Sequence, residues 1–209
     1  MADSAIWVKV YPTTPAPSLD PIPCVGTGGT VTTDGEDTVH TFTADGTFEV
    51  TEEGWAEVMV CGGGGSRDST NMPGGGAVQF GWQRLAVGTY AVVVGDGGLY
   101  QQGGGLQHGG QSSFGTIYKV GGGVSAYSGQ LNSIWGRLFG GFYGSANAGA
   151  GAGGDGSGAT PGPGVTWHGV EYGKGGASGV AATLPGQGGG TTSAPGSAGR
   201  VVVRYKTAV

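Results

Sequence analysis

Glycine decides what this chain can fold into. Of its 51 glycines, 45 lie between Gly62 and Gly199, about one residue in three over that stretch. Glycine supplies no side chain for a hydrophobic core, and it loses more backbone entropy on ordering than any other residue. A chain that keeps so much of it either stays disordered or packs backbone directly against backbone. Disorder goes with high net charge and few aromatics. Here the net charge is −5 and 9% of residues are aromatic, so order is expected. A collagen helix is excluded, because runs such as Gly62-Gly63-Gly64-Gly65 break the strict period of three and only ten prolines are present.

Apolar segments bracket the glycine stretch and alternate as strands do. Candidate strands are 6–11, 39–43, 47–50, 55–61, 80–85, 88–94, 112–120 and 200–205. Asp45-Gly46 between two β-rich runs predicts a hairpin over 39–50. No segment carries a sustained helical period with caps. The expected class is all-β, with roughly seven or eight strands and inserted glycine-rich segments. The tract from Gly121 to Gly199 is too long for a structureless loop in a compact domain. Extended, left-handed, three-residue-per-turn threads suit it. Each would bond its N–H groups to the carbonyls of the next, and a side chain at the contact would hold the backbones apart.

Residues 1–37 read as an extended N-terminal arm and 38–206 as the glycine-rich sandwich domain. Half of the prolines fall between Pro12 and Pro23, behind a short strand bearing Ile6, Trp7, Val8, Val10 and Tyr11. Such an arm either pairs with a neighbour's sheet edge or folds back on its own domain. Charge is uneven: residues 1–61 carry a net −9, residues 62–199 a net +1 and residues 200–209 a net +3. The acidic start and the basic end would attract if their strands were neighbours. No basic patch of nucleic-acid size appears, and no apolar run is long enough for a membrane helix. Met1 is not followed by a secretory signal, so synthesis in a cytoplasm is expected, with any exit inside an assembled particle or by lysis.

Chemistry-bearing patterns are sparse. His40, His108 and His168 lack zinc spacing, and no Gly-x-Ser-x-Gly elbow occurs. Gly151–Gly156 satisfies Gly-x-Gly-x-x-Gly, but in a glycine tract the match is expected by chance. Gly173-Lys174 lacks the rest of a phosphate loop, and Asp34, Glu36 and Asp37 lack a calcium-loop pattern. Cys24 and Cys61 form no metal or redox motif. Cys61 reads as a small buried strand residue, with a Cys24–Cys61 disulfide as the alternative in an oxidising compartment. No catalytic residue, metal or cofactor is expected. Large side chains interrupt the glycines at 131–143, at 99–102 and at 165–172. They either plug the fold or form adhesive loops; aromatics stack on sugars and dominate binding hot spots. The candidates for surface contact are Tyr100, Trp135, Phe139, Phe142, Tyr143, Trp167, His168 and Tyr172.

The order of motifs resembles the glycine-rich domain of bacteriophage minor tail and receptor-binding proteins, including those of actinobacteriophages. The matching features are Phe42 to Val50, Val58 to Gly65, Gly74-Gly75-Gly76-Ala77, Gly88 to Gly98, Gly109 to Gly115, Gly121-Gly122-Gly123 and Gly199 to Tyr205. The likeness spans roughly 38–206. The glycine-rich region of anaplastic-lymphoma-kinase-type receptors, with polyglycine-II helices set into a jelly-roll-like sandwich, is similar in plan. So are phage tail-fibre adhesins with stacked polyglycine-II helices. The resemblance implies a jelly-roll-like β-sandwich with inserted polyglycine-II-like segments, and a non-enzymatic virion protein of the phage tail, assembled in the host cytoplasm. It implies partners among other virion proteins, reached through the arm, and a host envelope ligand, either glycan or surface protein. A homo-oligomer is expected, with a trimer favoured by avidity. The alternative is a structural decoration or cover protein of the particle.

Overall fold

The computed structural model describes residues 22–67, 72–99, 108–123, 148–190 and 195–207. The expected strand at 6–11, with Ile6, Trp7, Val8, Val10 and Tyr11, lies outside them. Every regular element among the described residues is a strand. In chain order they are β1 (Val25–Thr27), β2 (Thr30–Asp34), β3 (Asp37–Phe42), β4 (Gly46–Glu52), β5 (Gly54–Cys61), β6 (Val78–Leu85), β7 (Gly88–Val93), β8 (Ser112–Phe114), β9 (Tyr118–Val120), β10 (Val165–Trp167), β11 (Val170–Tyr172) and β12 (Arg200–Lys206).

Two five-stranded antiparallel sheets form, in the orders β2-β3-β12-β5-β6 and β1-β4-β7-β8-β9, and β10-β11 is a separate hairpin. The first will be called the outer sheet. Alternation sorts the side chains to two faces. Phe42, Val58, Val60, Val201 and Val203 of the outer sheet meet Phe48, Val50, Val92, Phe114 and Val120 of the other in one core. The all-β expectation therefore holds, as a two-sheet sandwich.

Three expectations about the strands change. First, β3 and β4 do not form the hairpin that Asp45-Gly46 suggests. β3 pairs with β2 and β12, whereas β4 pairs with β1 and β7. Phe42 and Phe48 both enter the core between the sheets, and the Asp45 carboxylate accepts the Val94 N–H at 2.8 Å instead of closing a tight turn. The Asp-Gly pair is thus a crossover between layers. Second, 112–120 is two strands: Gly115 takes φ 51° and the Ile117 N–H donates back to Phe114 O at 3.1 Å. Third, β1 and β2 lie on the arm side of residue 38 yet belong to the sheets, joined to β4 and β3.

The expected attraction between the acidic start and basic end is present. β12 runs beside β3, and Arg204 bonds Asp37 at 2.7 Å and Asp34 at 2.6 Å. Lys206 reaches Asp37 at 3.2 Å. Burial alone would push the Asp37 carboxyl up, but hydrogen bonds from Lys206 and Arg204 outweigh it and hold the group below its ordinary range. On the core side, His40 Nδ1 faces Gly28 O and Nε2 faces the Tyr205 hydroxyl, each at 2.8 Å. A carbonyl only accepts, so Nδ1 carries the proton and in the neutral ring Nε2 is an acceptor; the single Tyr205 hydroxyl proton is shared between Nε2 and Gly26 O, 3.1 Å away, while the hydroxyl oxygen accepts the Gly26 N–H.

The glycine segments bond to one another in rotation. Gly62 N–H donates to Ala77 O, Gly63 to Gly110 O, Gly64 to Ser197 O, and Gly65 returns to the first neighbour at Gly74 O, all within 2.8–3.0 Å. The carbonyls of Gly63, Gly64 and Gly65 accept from Gly123, Gly98 and Gly189. Segment 62–65 is therefore bonded to six different neighbouring segments. The next thread does likewise: Gly75, Gly76 and Ala77 donate to Ala150, Gly186 and Gly121. The spacing leaves no room for side chains. A β-carbon at Gly63 would fall on the carbonyl oxygen of Asp96, one at Gly64 on that of Gln187, and one at Gly76 on that of Gly62.

Candidate binding groove on the outer sheet

The outer sheet's solvent-side face is partly covered by the β10–β11 hairpin. Its sequence explains its form: β-branched and aromatic residues alternate on either side of His168-Gly169, which take φ 43° and 77°. Two consecutive positive φ values match a two-residue primed turn. In the resulting register Val165 opposes Tyr172 and Trp167 opposes Val170, so these four share one face. Val165, Trp167 and Tyr172 pack on Met59, Cys61, Val78, Phe80 and Val202 as a second apolar cluster.

One carboxylate pins the hairpin. Glu57 accepts the Trp167 indole N–H at 2.9 Å through Oε1 and the His168 Nε2–H at 2.8 Å through Oε2. It occupies the alternating position on β5 between Trp55 and Met59, which points it to the hairpin side of the sheet.

Beside the hairpin a groove of about 200 Å³ runs along β12. Thr32, Val39, Thr41 and Val202 form the sheet wall, and Trp167, His168, Val170 and Tyr172 the hairpin wall. Arg200 and Arg204 line it, four residues apart on β12, with Asp34 at the Arg204 end. Arg204 is engaged by Asp34 and Asp37. Arg200 makes no ion pair with a described residue, and its buried Nε has no hydrogen-bond partner. Burial pushes the Tyr172 phenol up, partly offset by the Arg200 charge and by a hydrogen bond from the Arg200 guanidinium to the phenol oxygen.

The sequence-based contact residues divide as follows. Trp167 and Tyr172 are buried, 6% and 3% exposed, so their ring faces pack inside the protein and only their edges reach the groove. This corrects their expected role as exposed contacts: the hairpin carries its aromatic face down onto the outer sheet. His168 stays partly exposed at the turn. Tyr100, Trp135, Phe139, Phe142 and Tyr143 lie outside the described residues. Sequence reasoning passed over Trp55 and Trp82, 38% and 54% exposed on the outer sheet. Their signal is strand alternation: Trp55 opposes Arg84 and Trp82 opposes Glu57, which puts both rings on the hairpin side.

The nucleophilic groups are quiet. Cys24 and Cys61 are free and buried, and burial pushes each thiol up to about 12. Burial also holds His40 below its ordinary value, partly offset by its bond to Gly28. Among the described residues no three His, Cys, Asp or Glu side chains are grouped to hold a metal ion. The arrangement suits binding: a polar groove with a guanidinium that meets no carboxylate among the described residues, next to exposed indoles. Searches of protein-family models, curated proteins and solved structures each return no match to the chain.

Proposed function

We propose that this chain is a non-enzymatic structural protein of a phage particle, a minor tail or tail-tip component that contributes to host-surface attachment. The observation that carries the reading is that several glycine-rich segments meet at Ser66 and Arg67. The stretches 62–67, 95–99 and 186–190 meet side by side: Ser66 Oγ donates to Leu99 O at 3.0 Å and Arg67 Nη1 to Gly190 O at 3.3 Å. In the sequence Tyr100 follows Leu99 directly, and Trp135, Phe139, Phe142 and Tyr143 follow Gly123, whose N–H donates to Gly63 O of the same central segment. A bundle whose segments meet in this way is a rigid base for a composite binding surface. In this reading the threads are of the polyglycine-II type, supported by donors that return to the same neighbour every third residue, and the sandwich is jelly-roll-like. The N-terminal arm docks on another virion protein through Ile6, Trp7, Val8, Val10 and Tyr11, and the working state is a homo-oligomer such as a trimer.

The test is adsorption. Alanine at Trp135, Phe139 and Tyr143, in particles carrying folded variants, is expected to reduce host attachment at least tenfold. Unchanged adsorption would overturn the receptor role. A second reading, a decoration or cover protein of head or tail, is favoured by the exposed Trp55 and Trp82, which would suit packing against a neighbouring subunit. Placing the chain in a density map of a whole particle separates the two: the segments beyond Leu99 and Gly123 face solvent in the first reading and the outer sheet faces a subunit in the second.

A further inference from the structure

We propose that the groove between the hairpin and β12 binds an acidic sugar unit, with Arg200 receiving its carboxylate. A guanidinium held against protein is normally paired, because an isolated buried charge is costly. Arg204 obeys this through Asp34 and Asp37, whereas Arg200 lacks any carboxylate among the described residues. Its planar fork matches a carboxylate in two-point geometry. The two arginines are four residues apart on an extended strand, roughly 13 Å along the groove. The groove therefore has an anion-receiving end at Arg200 and, at the other end, a carboxylate acceptor, Asp34, already neutralised by Arg204.

The wall between the ends fits a hydroxylated frame. The Thr32 and Thr41 hydroxyls both donate and accept, as sugar hydroxyls do. Val39, Val170 and Val202 supply apolar surface for ring C–H groups. At about 200 Å³ the space suits one sugar ring and is smaller than the roughly 300 Å³ at which drug-sized pockets begin. An acidic sugar places a carboxylate at one end of a ring and hydroxyls around the rest, which is the polarity of the groove.

This goes beyond the attachment reading and fails separately from it, because it is measured on the full chain in solution and not on particles. The probe is glucuronate, titrated calorimetrically against glucuronamide, which keeps the ring and removes the charge. Glucuronate is expected to bind with a Kd on the order of millimolar. It should bind about tenfold tighter than glucuronamide, the strength of one charge-assisted pair. Arg200→Gln should abolish the preference. Thr32→Trp, on the exposed edge strand β2, should block the groove without touching the core. Equal binding of the two probes, no binding of either, or full binding by Thr32→Trp would overturn the proposal.

Discussion

Replacing Gly64 by alanine tests the thread packing at a crowded point in the central segment. The added methyl would fall on the Gln187 carbonyl, so segments 62–65 and 186–190 must part. Parting them strains the bond that joins them, Gly189 N–H to Gly65 O at 2.9 Å, and displaces Gly64 from its own bond to Ser197 O at 2.8 Å. Two such bonds are worth about 1 kcal/mol apiece. Forcing a methyl into a filled space costs a further 1–3 kcal/mol or so. Alanine offsets roughly 0.4–1 kcal/mol by restricting the unfolded chain. The net expectation is a loss of about 2–4 kcal/mol, a large part of a typical domain's stability. Gly154→Ala is the matched control, since its methyl would meet only Pro163 ring atoms at 3.5 Å. That variant should stay within about 1 kcal/mol of the parent. Urea unfolding followed by tryptophan fluorescence measures both, with the denaturant slope checked for constancy. If Gly64→Ala matches Gly154→Ala, close packing of backbones is not what excludes side chains here.

Glu57→Ala leaves the Trp167 indole N–H without its acceptor; a loss of about 1–3 kcal/mol is expected in the same urea assay. Thiol titration at pH 8 should find neither cysteine reactive in the native protein and both reactive in denaturant, because burial pushes each pKa up to about 12. His40 is depressed by burial, so the unfolded chain binds its proton first. Its contribution is complete above its ordinary value of 6.5 and is lost as pH falls through the lower folded value. The parent's stability should therefore drop more steeply below pH 6.5 than that of His40→Asn, by up to about 1.4 kcal/mol per pH unit. Parallel pH profiles would refute the buried neutral imidazole.

Local pattern made most strands legible. Val58 to Cys61 and Val201 to Val203 carry β-branched residues that only a buried sheet would use, and the opposite charges of the two chain ends anticipated β12 beside β3. Which strand pairs with which was not legible at Asp45-Gly46. That dipeptide is compatible with a tight turn, and the competing pull of Phe42 and Phe48 toward a common core is a long-range effect. The break at Gly115 was hidden because Ile117 and Tyr118 continue a strand-like composition through a left-handed residue. In the groove, His168-Gly169 marks the hairpin turn in sequence, but which face of Trp167 and Tyr172 meets protein depends on Met59 and Val202, 30 or more residues away. Arg200 reads as one more basic residue at the chain end; only the placement of Asp34 and Asp37 beside Arg204 reveals that it meets no carboxylate among the described residues.

Amide hydrogen exchange at Gly62, Gly63, Gly64 and Gly65 tests the central claim most directly. Each of these N–H groups is bonded to a neighbouring segment. All four amides are expected to exchange as slowly as those of Val58 and Val202 in the outer sheet, with protection rising and falling together in denaturant. Exchange of the four glycines at the rate of a free peptide, beside a protected β5, would contradict the claim that backbone bonding between glycine threads holds this protein together.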